Sequence, residues 1–141
     1  MGIKSLYRFI DHTADLGIVV RGENPKGLFR NAALALIDIV GGPTVSRPQA
    51  THIIDITGDD WPDLMVNWLR EILYLWNGEA YLVSGVHMMD LSEQRLRAEV
   101  ALEAYQPDIH TIKTEVKAVT YHQIKVGPAN GEWEAQIIFD T

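Results

Sequence analysis

The sequence predicts one domain of the α+β class over residues 1–141, with two amphipathic helices packed on a largely antiparallel or mixed β-sheet. Three observations predict this class. Two segments in the first half repeat apolar residues at helical spacing. The second half contains apolar runs separated by turn residues, which is typical of strands. Because helices cluster in one half and strands in the other, the pattern favours α+β over a doubly wound parallel sheet.

The first helix is predicted to follow an extended pair, or one long interrupted strand, over residues 5–22. Asn24 is suited to the N-cap and Pro25 to the first helical position. The glycines and proline of residues 41–43 are expected to end the helix. Its buried face is predicted to consist of Leu28, Phe29, Ala32, Ala33, Leu36, Ile37 and Val40.

The second helix is predicted to open after residues 58–60 and to end at Asn77 and Gly78. A shift of 36 residues places Gly58 on Gly22 and also aligns Asn67 with Asn31. A strand–glycine–cap–helix unit used twice is one interpretation. The other is coincidence, because any two amphipathic helices align comparably well.

Strands are predicted over residues 51–57, 83–91, 95–104, 111–126 and 133–139, with turns at 106–108 and 127–131. The two helical segments and these five runs account for most of the chain. Long strands joined by hairpins fit the α+β class.

Composition narrows the classes of function. There is no cysteine, which excludes disulfides and thiol chemistry. No apolar run is long enough to span a membrane. A cytoplasmic protein is therefore expected. The net charge is −7, and residues 59–104 hold nine acidic and three basic residues. This charge argues against direct binding to nucleic acid. It fits a basic protein partner or a bound cation, although an ordinary solvated surface would have the same charge.

An acidic cluster near the start of the chain is the first candidate site. Asp11, His12 and Asp15 lie between apolar segments, where an unpaired charge would be costly. A hard metal cation would neutralise the two carboxylates, since such ions take several oxygen ligands. Hydrogen bonds from backbone amides in a turn would serve the same purpose. From these residues alone the turn is the simpler interpretation.

Two further segments carry candidate residues. The last predicted strand runs directly into Asp140 and Thr141, so an ordered strand would bring their carboxylate, hydroxyl and terminal oxygens to one place, unless the chain end frays. Lys117 lies in the predicted strand over residues 111–126, where a lysine is usually only solvated. No phosphate loop, dinucleotide fingerprint or nucleophile elbow is present, and no spacing marks a catalytic triad.

Together these segments resemble the archease family of small acidic proteins. The resemblance spans nearly the whole chain in order, through residues 11–17 (DHTADLG), the two helices, residues 115–122 (EVKAVTYH) and the final Asp140-Thr141 pair. It implies a protein cofactor rather than an enzyme. Archeases activate RtcB-type RNA ligases in tRNA splicing and RNA repair, promoting guanylylation of the ligase and its multiple turnover.

The resemblance also implies roles for individual residues. It implies a divalent cation, calcium with magnesium or manganese as alternatives, on Asp15, Asp140 and Thr141. It implies that Lys117 takes part in activating the partner, whereas Asp11 and His12 match the motif without a defined role. Thr141 stands where isoleucine is usual in the family.

Two other classes of function remain open, and so does self-association. A stand-alone metal-dependent hydrolase or phosphotransferase would turn over substrate without a partner. A chaperone-like binding module would expose apolar surface and tolerate loss of Asp15. Unpaired strand edges also leave a homo-oligomer open.

Overall fold

A computed structural model of the protein describes residues 6–10, 15–43 and 47–141. Within these ranges two helices are flanked by short and long strands. In chain order the elements are β1 Tyr7–Ile10, β2 Leu16–Gly22, α1 Pro25–Val40, β3 Gly41–Pro43, β4 Ala50–Thr57, α2 Trp61–Asn77, β5 Tyr81–Ser92, β6 Arg95–Ala104, β7 His110–Ile112, β8 Ala118–Val119, β9 Lys125–Ala129 and β10 Glu132–Asp140.

The described strands form three antiparallel sheets. The largest has the order β1-β2-β10-β8, with β9 also paired to β10. A second sheet has the order β4-β6-β5, and β3 pairs with β7. Both helices pack against these sheets, so the predicted α+β class is confirmed.

Each helix begins with the same local construction, 36 residues apart. The side chain of Asn24 accepts a hydrogen bond from the Gly27 amide at the start of α1, and Asp60 does the same for Asp63 at the start of α2. A second contact also recurs in both helices, two turns after the cap, between a helix asparagine and a strand carbonyl. The pairs are Asn31 Nδ2 with Arg21 O at 2.8 Å and Asn67 Nδ2 with Thr57 O at 2.9 Å.

The core lies between the helices and the sheets. Phe29 of α1 and Trp68 of α2 are fully buried, and the Trp68 indole N–H donates to the Phe29 carbonyl at 2.9 Å. The hydrogen bond satisfies a polar group that would otherwise be costly to bury. Phe139 brings the end of β10 into the same core, so the final strand is firmly packed almost to its last residue.

The prediction of one strand over residues 111–126 is wrong. The structure has β7, an irregular stretch over residues 113–117, the two-residue β8, a turn, and then β9. The alternation of side-chain types along the sequence predicted one strand, but the backbone of this segment makes hydrogen bonds to several different elements. The Lys113 amide donates to Val40 at the end of α1, whereas the Lys117 amide donates to Asp140 of β10.

The predicted turn over residues 127–131 is also too long. Gly127 and Pro128 belong to β9, and the turn is confined to Asn130 and Gly131, whose φ angles are 53° and 80°. Positive φ at both positions is typical of an Asn-Gly hairpin turn. Pro128 is tolerated because, among the described strands, β9 pairs with β10 alone, so its missing N–H breaks no second ladder.

Candidate functional site

Three strands of the largest sheet bring the candidate residues to one edge. Phe139 of β10 pairs with Leu16, the first residue of β2, and Asp140 pairs with Ala118, the first residue of β8. Asp15 immediately precedes β2, and Lys117 immediately precedes β8. The register therefore gathers Asp15, Lys117, Asp140 and Thr141 where these strands begin or end.

Strand alternation places the two carboxylates on the outer face of the sheet. Phe139 and Val119 pair with each other and are buried in the core, so their side chains point toward the helices. Asp140 follows Phe139 and therefore has the opposite parity, on the outer face. Continuing the β2–β10 register by one residue sets Asp15 opposite Asp140, on that same face. Lys117 precedes β8, outside the regular alternation, and its exposed side chain lines a cleft together with residues of α2.

The two carboxylates differ in exposure: Asp15 is half-buried, whereas Asp140 and Thr141 are exposed. Together with main-chain oxygens of Thr141, they offer oxygen donors only, which is the donor type that hard divalent cations take. Within residues 6–10, 15–43 and 47–141, no three His, Cys, Asp or Glu side chains lie close enough to hold a metal ion. The described side chains thus fit part of an oxygen site, and further oxygens would have to complete it. Asp11 and His12 lie outside the described residues.

Lys117 lies at the rim of an open cleft between α2 and β8, with a volume of about 380 Å³. Among the described residues, its ammonium group makes no hydrogen bond or ion pair. The cleft is lined by Arg70, Leu73, Tyr74, Asn77, Gly78, Lys117, Ala118 and Val119. The exposed ammonium is therefore available to an anionic group of a partner or ligand.

A linked set of polar side chains stands beside this cleft. The Tyr121 hydroxyl donates to Asp63 Oδ1 at 2.6 Å, and the Arg70 guanidinium lies 4.8 Å from the centre of the Tyr121 ring. The hydrogen bond lowers the pKa of Asp63 and raises the pKa of Tyr121. Tyr121 lies in the segment 115–122 that the sequence analysis identified, but its contact with Asp63 was not predicted, because the contact joins residues 58 positions apart and leaves no local pattern.

The geometry defines the class of protein: a small α+β protein whose strand ends bring acidic residues and a lysine to an exposed edge. Residues 7–141 match the model of the Archease protein family (MTH1598/TM1083), and the chain belongs to that family.

Relatives agree over nearly their full lengths. A protein archease of Methanopyrus kandleri is 34% identical over 134 residues, covering 93% of this chain and 96% of that protein. A protein archease of Methanosarcina mazei is 30% identical over 138 residues, covering 95% and 94%.

Two solved structures share the fold. The solution structure of Methanobacterium thermoautotrophicum protein 1598 has a TM-score of 0.78 and 28% identity, over 96% of this chain and 99% of that one. A Thermotoga maritima archease, described as a possible chaperone, has a TM-score of 0.66 and 18% identity, covering 94% of each chain. At that identity the Thermotoga structure supports the fold alone. In the described part of this chain, neither helix is long and apolar enough to cross a membrane.

Proposed function

We propose that this protein is a cytoplasmic activator of an RtcB-type RNA ligase and is not itself an enzyme. It promotes guanylylation of the ligase and restores it for further turnovers in tRNA splicing and RNA repair. One observation carries the proposal: three strand ends bring Asp15, Lys117 and Asp140 to the same exposed edge of the sheet.

The carboxylates and the lysine at this edge have different roles in the proposal. Asp15, Asp140 and main-chain oxygens of Thr141 would hold a divalent cation, calcium before magnesium or manganese, with help from further oxygens. Bound there, it would supply positive charge to stabilise negative charge on the nucleotide phosphates during transfer. Lys117, which is exposed and makes no ion pair within the described residues, contacts an anionic group of the ligase or its nucleotide. The exposed edge therefore docks at the ligase active site, and no direct contact with RNA is required.

The acidic surface supports docking to a basic partner. The chain has a net charge of −7. Asp59 and the N-cap Asp60, both exposed, precede α2, and Asp63 lies in its first turn. An RNA ligase must attract phosphates and so presents positive charge, which complements this surface. Complementary charge speeds encounter and selects the partner more than it adds affinity.

The test is a ligase guanylylation assay with and without this protein. An RtcB-type ligase is incubated with labelled GTP and manganese, and the guanylylated ligase and the number of turnovers are measured. Asp15→Asn and Asp140→Asn are expected to abolish the stimulation, and Lys117→Gln to reduce it at least tenfold. Asp90→Asn is the control, because Asp90 is an exposed carboxylate on β5 of another sheet.

Two results would contradict the proposal. Full stimulation by both carboxylate variants, with their fold intact by circular dichroism, would remove Asp15 and Asp140 from the site. Turnover of a phosphate ester by this protein alone, lost in the same variants, would instead identify a metal-dependent hydrolase. Calcium binding by the isolated protein, followed by calorimetry, tests the cation site without the ligase.

A further inference from the structure

Among the described strands, the backbone around Lys117 pairs on one side, with β10. Residues 113–117 belong to no helix or strand, and β8 has only two residues. The Lys117 amide donates to the Asp140 carbonyl at 2.7 Å, which ties this point to β10. After Lys117, β8 pairs with β10, and the Thr120 amide donates to the Ile138 carbonyl at 3.1 Å. β10 therefore holds one side of this short stretch, and the groups that hold its other side come from α2.

Two side chains of α2 hold the backbone on both sides of Lys117. Asn77 Nδ2 donates to the carbonyl of Val116, one residue before Lys117, at 2.9 Å. Arg70 Nε donates to the carbonyl of Val119, two residues after it, at 3.2 Å. Lys117 therefore lies in a short bridge of chain clamped to one helix at both ends.

The packing of neighbouring side chains also fixes the orientation of the backbone at Lys117. Val116 and Val119 are each 1% exposed, so both side chains are buried in the core, while Lys117 between them is exposed. Arg70 is held in turn, because its guanidinium lies over the Tyr121 ring and Tyr121 is hydrogen-bonded to Asp63. The clamp is thus made by side chains that are themselves fixed.

We propose that Asn77 and Arg70 are positioning residues that hold the Lys117 ammonium at the rim of the cleft, beside the strand ends that carry Asp15 and Asp140. The proposal rests on the role proposed above for Lys117. A group that must meet a partner's anion gains from being held in place before the partner arrives. Losing one clamp leaves Lys117 present and charged but poorly oriented.

The chain contains a matched control on the same helix. Asn67 of α2 also donates from Nδ2 to a strand carbonyl, that of Thr57, at the same distance of 2.9 Å. Asn77→Asp and Asn67→Asp each replace an amide donor by a carboxylate of equal size facing a carbonyl. Both lose one hydrogen bond, but only Asn77→Asp does so next to Lys117.

Two readouts test the proposal. Amide hydrogen exchange at Lys117 is expected to be about fivefold faster in Asn77→Asp than in Asn67→Asp, since one local hydrogen bond has been lost. Stimulation of ligase guanylylation is expected to fall about tenfold in Asn77→Asp, and to stay near the wild-type level in Asn67→Asp. Arg70→Met is expected to behave like Asn77→Asp, and it keeps the test open if Asn77→Asp does not fold.

The outcomes separate this proposal from the one on which it rests. Unchanged exchange at Lys117 in Asn77→Asp and Arg70→Met would overturn the clamp. Faster exchange with full stimulation, while Lys117→Gln is inactive, would overturn the positioning role. If Lys117→Gln itself stimulates fully, the proposed function of Lys117 fails, and the exchange data still decide whether α2 clamps the segment.

Discussion

The two glycines that precede the helices provide a sharp test of how the helices meet the sheets. Gly22 ends β2 and Gly58 follows β4, and each packs directly against the first turn of the next helix. We predict that alanine at either position destabilises the fold, although the substitution adds only one methyl group. Gly127→Ala, in β9, is the control because an added methyl group would meet nothing within 4 Å there.

The magnitude follows from the distances. A Cβ atom at Gly22 would lie 2.3 Å from the Leu28 backbone nitrogen, and one at Gly58 would lie 2.7 Å from that of Leu64. Both are below the 3.0 Å that real Cβ contacts keep, and helix backbone cannot rotate away as a side chain can. Each helix start must therefore shift by several tenths of an ångström. Overpacking of this kind costs roughly 1–3 kcal/mol, and the shorter distance puts Gly22→Ala at the upper end.

Urea unfolding followed by circular dichroism measures these costs. For a chain of this length, 1 kcal/mol corresponds to a change in Tm of about 3–4 °C, so the two variants should melt roughly 3–12 °C below wild type. The expected order of destabilisation is Gly22→Ala, then Gly58→Ala, with Gly127→Ala near zero. Wild-type stability in Gly22→Ala, or a loss in Gly127→Ala as large as in Gly58→Ala, would refute the close-packing argument.

Two more predictions concern polar pairs. Glu103 is buried and accepts hydrogen bonds from His110 Nε2 at 3.3 Å and from the Arg47 amide. Glu103→Ala should therefore lower the free energy of unfolding by about 2–4 kcal/mol, measured in urea, and Glu103→Gln by clearly less. Equal losses in the two variants would contradict this prediction. The hydrogen bond from Arg95 lowers the pKa of Asp55, so Arg95→Ala should return that pKa toward its usual value in a carboxyl NMR titration. Because the pKa of Asp55 is lower in the folded state than in the unfolded state, the pair stabilises the fold above the unfolded-state pKa. That contribution is lost as the pH falls through the folded-state pKa. The free energy of unfolding of Arg95→Ala should therefore fall less on acidification than that of the wild type. An unchanged Asp55 pKa in Arg95→Ala would contradict the assignment.

Local signals in the sequence predicted the helices well. Asn24 caps α1 and α2 begins directly after residues 58–60, as expected, and α1 ends before Gly41 and α2 at Asn77. Caps, helix-ending glycines and apolar spacing all act within a few residues, so a single sequence carries them. The strand predicted over 95–104 also matches β6 at both ends.

Prediction failed where partners from distant parts of the chain decide the backbone. Residues 111–126 alternate like a strand, but contacts with α1, α2 and β10 divide them into short pieces. The clamp by Arg70 and Asn77 was missed for the same reason, since a helix side chain bonded to a carbonyl 39 or 49 residues away has no signature in local spacing.

The candidate site also has a part that local sequence predicted and a part that only the tertiary structure determined. Asp15, Lys117 and the Asp140-Thr141 pair were identifiable from sequence because the motifs around them resemble one family, and that family is confirmed. Their meeting at one edge required the register of β2, β10 and β8, which is set by which side chains are buried. The same register puts Asp15 and Asp140 on one outer face, whereas Lys117 lines the cleft against α2. Sequence by itself determined the residue types, the helices and the family, because these depend on local chemistry. The tertiary structure alone decided which faces the residues share, because register is settled only when the strands pack.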